Sequence, residues 1–170
     1  NPGTVVIKNV KLCYVHLLEP YKGENDKAKY SVVVLVPKSS TDTVAAIKAA
    51  IKAAYEDGQA NKWAGKGPQP KDCHIPLRDG DKERADDEAF KGCYFLNCSC
   101  NTRPGVIDVT GRDLTEPGLE DEVYSGMMAH VSITMFAYSS NGSKGISSGL
   151  NNVCKVGDGT RLGGRNSAAA

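Results

Sequence analysis

The sequence predicts a mainly β fold, a small barrel or sandwich with one inserted helix and long loops. Three observations predict it. Thr4 to Val15, Ala28 to Lys38 and Met127 to Ser140 are β-branched or alternating runs. A single segment, Thr41 to Gly58, has helical periodicity. The order is strands, helix, strands, without the regular alternation that a parallel βαβ sheet requires.

Each element has a local reason. "TVVIKNVKLCYV" is β-branched and partly alternating, while "AKYSVVVLVPK" is a near-continuous apolar run stopped by Pro37, as a strand buried on both faces would be. Pro20, Gly23 and Asn25 mark the turn between them. In the helix, Thr41 or Asp42 can cap the start, Val44, Ile47, Ile51 and Tyr55 form one apolar stripe, and Gly58 is the expected stop. Lys48 and Lys52 share the opposite, solvated face. From Asn61 to Lys91 periodicity is lost in favour of Pro, Gly and charge, which predicts a long functional loop or a partly ordered insertion. Gly92 to Asn101 reads as a strand broken by Arg103–Gly105, and "VIDVTGRDL" as a short arm turning at Thr110 and Gly111. An acidic connector then leads to the Met127 to Ser140 strand, and Asn141–Gly142 is a hairpin signal before "KGISSGLNNVCKV".

With 170 residues, one domain over 1–170 is expected, residues 157–170 forming a flexible C-terminal end. The 21 basic against 20 acidic residues leave a formal charge of +1, so any basic surface must be local. Six cysteines are too sparse for a disulfide scaffold, no run approaches a membrane span of about 18 apolar residues, and no apolar signal region opens the chain. A soluble intracellular protein with reduced thiols is the expectation, although "NPG" and "SAAA" resemble cut ends and leave a removed targeting signal open.

Catalytic and metal motifs fail one by one. "GDGTRLGGR" has Leu162 where a dinucleotide fingerprint needs its third glycine, and no helix pattern follows. Asp79, Asp81 and Glu83 alternate like a calcium loop, but Arg84 and Phe90 stand where glycine and the closing glutamate belong. Cys98 and Cys100 would sit about 7 Å apart on one strand face, too far to share one zinc. His16, His74 and His130 lack a recognisable nucleophile or carboxylate pattern. No catalytic residue, metal or cofactor is assigned.

Pleat phase is more informative. Val131, Ile133, Met135 and Ala137 fall on one face and Ser132, Thr134, Phe136 and Tyr138 on the other. The preceding strand repeats this, with Tyr94, Leu96, Cys98 and Cys100 against Phe95, Asn97, Ser99 and Asn101, in phase with Arg103. A face mixing rings, small polar groups and arginine suits single-stranded nucleic acid, because each base offers a π-face and each linkage an anion. Candidate contacts are therefore Phe95, Phe136, Tyr138, Trp63, Tyr30, Lys29, Arg78, Arg103, Lys144, Lys155, Arg161 and Arg165. The glycines and lysines of Lys144 to Val156 fit a phosphate cradle, the lining of a nucleic-acid groove or a hairpin return at a sheet edge.

"NVKLCY", "KYSVVVLVPK", "PLRDGD", "GCYFLNC", "RPGVID", "KGISSGLNNV" and "LGGR" occur in an order and spacing that resembles the single-stranded DNA-binding proteins of tailed phages and prophages, over nearly the whole chain. The resemblance implies an OB-fold, a five-stranded barrel with one inserted helix. It also implies sequence-tolerant binding of single-stranded DNA in phage replication or recombination, in the cytoplasm of the infected bacterium. It carries Arg78, Arg103, Lys144 and the Gly145 to Asn152 segment into the binding groove, where the glycines would let the backbone approach DNA and Asn151 and Asn152 would offer amides. Such proteins commonly end in an acidic tail that recruits replication or recombination proteins; no acid follows Asp158 here, so tail-mediated partners stay open. Homo-oligomerisation is admitted and no membrane is expected. Two other classes compete: a protein-interaction module on the same barrel, and a metal-dependent nuclease using Asp79, Asp81 and Asp108.

Overall fold

A computed structural model describes residues 3–22, 28–140 and 143–162 of the chain. Seven strands form one sheet: β1 (Thr4–Lys22), β2 (Ala28–Pro37), β3 (Leu77–Asp79), β4 (Cys93–Cys100), β5 (Gly105–Asp108), β6 (Met128–Ser140) and β7 (Ser143–Gly157). Their order is β3-β4-β2-β1-β6-β7-β5, and a parallel pairing of β4 with β7 (Cys98 with Ser148, Ser99 with Gly149) closes five of them into a barrel. Among the described residues, closure leaves β3 and β5 as outer flanks. The helix α1 (Thr41–Asp57) is inserted between the second and third barrel strands.

Binary pattern explains the interior. Ile7, Leu12, Val32, Val34, Leu96, Cys98, Val131, Ile133 and Val153 point inward and are essentially inaccessible, and the α1 stripe of Val44, Ile47, Ala50, Ile51 and Ala54 packs onto them. The run Val32 to Val36 is buried on both faces, as its lack of alternation predicts. Its outward members, Val33 and Leu35, join Cys13, Phe90 and Phe95 in a second, smaller cluster outside the barrel. Among the described residues no helix is long and apolar enough to cross a membrane.

Two expectations are corrected. Gly58 does not stop the helix: its φ of −61° is right-handed, and the chain continues through a π-type turn, Gly58–Lys62. Glycine is needed there for contact, because a Cβ would lie 2.6 Å from that of Ala137 and 2.8 Å from the Trp63 ring. The segment 61–91 is partly ordered, the second of its two readings: it contains β3 and a short helix, α2 (Gly80–Glu83), capped by the Asp79 carboxylate accepting from Asp81 N at 3.0 Å. The expected loose end is tied down as far as Leu162. The Gly159 amide donates to Tyr124 Oη at 3.0 Å, the Leu162 amide to Ser125 O at 2.9 Å, and Tyr124 Oη to Asp158 Oδ1 at 2.7 Å. The Asn141–Gly142 turn lies outside the described residues; the pairing of Ser140 with Ser143 flanks it.

Candidate nucleic-acid interface

The outer face of β6 keeps the predicted register. Phe136 is 46% exposed, and opposite it on β7 lies Ser147. Gly149, whose Cβ would meet the Phe136 ring at 3.4 Å, leaves that ring room to lie over the strand. With Tyr138, it borders a groove of about 700 Å³ that also takes in Lys29 from β2, Arg78 from β3, Asn97 from β4 and the wall His74–Pro76. Residues distant in sequence meet here because β4 pairs with β2 on one side and β3 on the other. The wall is fixed by main chain: the Ile146 amide donates to His74 O at 2.7 Å. Gly145 serves that contact, since a Cβ would fall 2.7 Å from His74 O. Its role is therefore to admit the wall, and the expectation that glycine here clears space for a ligand is corrected.

Asn97 also borders a second hollow of about 340 Å³, lined by Tyr14, His16, Tyr21, Ser31 and Arg84. Tyr14 and Tyr21 are 47% and 57% exposed, and the His16 and Tyr21 rings lie 4.7 Å apart. Tyr14 has a left-handed φ of 48° at a register shift between Cys13 and His16, a bulge that re-aims its ring outward. Arg84 holds its guanidinium 5.0 to 5.9 Å above the Phe90, Tyr14 and Phe95 rings and forms no ion pair among the described residues. These four residues, Tyr14, His16, Tyr21 and Arg84, are absent from the sequence-derived set. No periodicity marks Tyr14, His16 and Tyr21, because the register shifts of β1 break it, and Arg84 follows α2, outside any strand.

Several predicted contacts lie elsewhere. Phe95 is 3% exposed, held edge-on to Phe90 at 5.1 Å under the Glu88–Phe90 turn. Trp63 is 3% exposed, its indole N–H donating to Tyr138 O at 3.0 Å. Both are core, because a large ring on a half-buried face is drawn into whatever loop covers it. Lys155 points into the end of the barrel, paired with Asp158 at 2.9 Å and Glu122 at 3.4 Å and lying over Tyr124. Burial pulls this ammonium down, and the two carboxylates more than offset it, so its pKa ends above the ordinary value. Arg161 stacks 4.3 Å from the Tyr124 ring and donates to Asp121 O. Neither cation borders the groove.

Lys144 donates to Lys66 O at 2.9 Å, anchoring a loop. Asn151, the bulge residue of β7, donates to Thr134 Oγ1 at 2.9 Å and Ser132 Oγ at 3.3 Å on the outer face, while Asn152 borders a separate hollow with Val6, Ile107 and His130. Tyr30 opposes Cys100 in the core-facing phase of Val32. Arg103 is exposed on the turn after β4 and helps the Thr115 hydroxyl hold the Asp113 carboxyl below its ordinary value. Arg165 lies outside the described residues.

The acids weighed for a nuclease do not converge. Asp79 and Asp81 both receive Lys38 Nζ at 2.8 Å, which holds their carboxyls below the ordinary range. Asp108, on β5, accepts from Thr110 and pairs with Arg112. Among the described residues no three His, Cys, Asp or Glu side chains are grouped to hold a metal ion.

Comparison with known proteins adds the decisive observation: the family described as Enterobacter phage Enc34 ssDNA-binding protein matches residues 3–170. The chain belongs to this family. Protein p50 of Acyrthosiphon pisum secondary endosymbiont phage 1 is 33% identical over 168 residues, covering 94% of this chain and 86% of its own. The structure of the bacteriophage Enc34 single-stranded DNA-binding protein in complex with ssDNA is 29% identical, with a TM-score of 0.75 over 95% of this chain and 90% of that one. Gp2.5, a single-stranded DNA-binding protein of bacteriophage T7, is 16% identical with a TM-score of 0.66 over 98% and 92% of the two chains, a likeness of fold. The OB-type barrel and the phage family expected from the sequence are thus both established.

Proposed function

We propose that this protein binds single-stranded DNA along the outer barrel face, from the Tyr14–Tyr21 hollow across Asn97 to the Phe136 groove. It would coat exposed strands with little sequence preference during phage replication or recombination. The observation that carries this is the Phe136 groove: an exposed ring flanked by Tyr138, with Lys29 and Arg78 in the same hollow. Bases stack on the rings while cations take phosphates, and stacking of this kind is worth about 1–3 kcal/mol per base. Membership of the family supports the ligand class. The site works without catalysis in the cytoplasm of the infected cell, since binding by stacking and charge needs no reacting group.

The test is a titration of labelled oligothymidine against duplex of equal length at two salt concentrations. Tight, salt-sensitive binding of the single strand and weak binding of the duplex are expected. Lys29→Ala and Arg84→Ala should each flatten the salt slope by about 0.7, the value of one single-strand phosphate contact. Equal affinity for duplex would overturn the stacking model, and affinity indifferent to salt would favour a protein-interaction module instead.

A further inference from the structure

Arg78 does not face the groove alone. Its Nε donates to Glu83 Oε1 at 2.8 Å, and its Nη2 lies 2.5 Å from the same oxygen. The geometry is set by α2: Asp79 caps this single turn, and the turn brings Glu83 back over Arg78, five residues earlier. The other acids of the segment, Asp79 and Asp81, are both held by Lys38. Glu83 is the one carboxylate among the described residues that line the groove.

We infer that Glu83 sets the affinity of the groove: it occupies the Arg78 guanidinium in the free protein, and an incoming DNA phosphate must displace it. This rests on the groove being the single-strand site. The exchange is feasible because both partners are well exposed, 51% and 39%, and such ion pairs are worth only up to about a fivefold factor in an equilibrium. A phosphate accepts the same charge-assisted hydrogen bonds from a guanidinium that a carboxylate does. Displacement also alters the ion balance. The phosphate sheds a counterion on meeting Arg78, while the released Glu83 carboxylate acquires one. Arg78 therefore adds little to the salt dependence in the native protein. Once the carboxylate is gone, it should contribute the full value of a single-strand contact, about 0.7 in slope.

The experiment is an anisotropy titration of labelled oligothymidine at about 50 and 200 mM salt, using the native protein, Glu83→Gln, Arg78→Ala, Arg78→Ala with Glu83→Gln, and Phe136→Ala. Glu83→Ala serves as a second carboxylate-free variant, and melting curves confirm that each is folded. Both Glu83 variants should bind about two- to fivefold more tightly at the lower salt and steepen the slope by about 0.7, and Arg78→Ala should erase that gain in the double variant. If Glu83→Gln and Glu83→Ala bind no more tightly than the native protein while Phe136→Ala still weakens binding, Glu83 is a structural partner of Arg78 and the inference is overturned with the groove intact. If Phe136→Ala also leaves affinity unchanged, the groove is not the DNA site and both readings fall.

Discussion

Phe95 on β4 and Phe136 on β6 both occupy outward positions of barrel strands, yet one is 3% exposed and the other 46%. Sequence places both on the outer face, correctly, but not what lies above them. Over Phe95 passes the Glu88–Phe90 turn, with the Arg84 guanidinium 5.9 Å from its ring; Phe136 borders an open groove. Phe136→Ala should therefore lower single-strand affinity by about 1–3 kcal/mol with an almost unchanged melting temperature. Phe95→Ala should cost about 3–5 kcal/mol of stability, measured by denaturant unfolding, with binding retained by the folded fraction. The buried thiols make a second residue-scale prediction. Burial pushes both Cys98 and Cys13 from 9.0 to about 12, Asp87 adding to the effect at Cys13. A raised folded pKa means that the neutral thiol's contribution is complete below 9 and is lost as pH climbs from 9 toward 12, where the unfolded chain sheds the proton first. Melting temperatures should fall over that window, and Cys98→Ala should melt lower at pH 7 but show a shallower alkaline fall.

At the scale of elements, β7 is where local and tertiary demands meet. Lys144 to Val156 contains two glycines and two asparagines, a composition that by itself fits a phosphate cradle, a groove lining or a hairpin return. Its pairing decides among these. Gly145 bridges to His74, Gly149 lies beneath Phe136, and Asn151 is the extra residue of a bulge between the Ile133–Leu150 and Ser132–Asn152 pairs. Gly145→Ala places a methyl 2.7 Å from His74 O and 2.8 Å from His74 Cβ, so the wall must shift. The expected outcome is a loss of about 1–3 kcal/mol of stability together with weaker DNA binding, read from an unfolding curve and the oligothymidine titration. Binding at native strength would mean that the His74–Pro76 wall is not part of the interface. Strand existence and phase were legible for β2, β4 and β6 because apolar alternation or its absence is local. The short β3 and the bulge at Tyr14 were not, since both exist through pairing with distant strands.

For the whole molecule, a net charge of +1 says little, and the basic residues have been sorted by the fold into two kinds. Lys29, Arg78 and Arg84 lie on the outer face, whereas Lys155 and Arg161 close the barrel end against the acidic connector around Glu122. Lys155→Ala should therefore lower stability by about 0.5–3 kcal/mol while leaving both affinity and its salt slope unchanged, the reverse of Lys29→Ala. Sequence alone counts Lys155 and Arg161 among the candidate phosphate partners, because charge and position after Asn141 are all it can see. By itself it determined a mainly β fold, the long helix α1, the inner and outer phases of β4 and β6, and, through its motif blocks, the family and with it the barrel. These depend on short-range periodicity and residue order, which a linear chain displays directly. Only the tertiary structure decided which rings are covered, which cations are already paired, and that Tyr14, Tyr21 and Arg84 join Phe136 on one face. The physical reason is that exposure and ion pairing are set by what packs on top of a residue, and in a closed barrel those neighbours come from strands and turns tens of residues away.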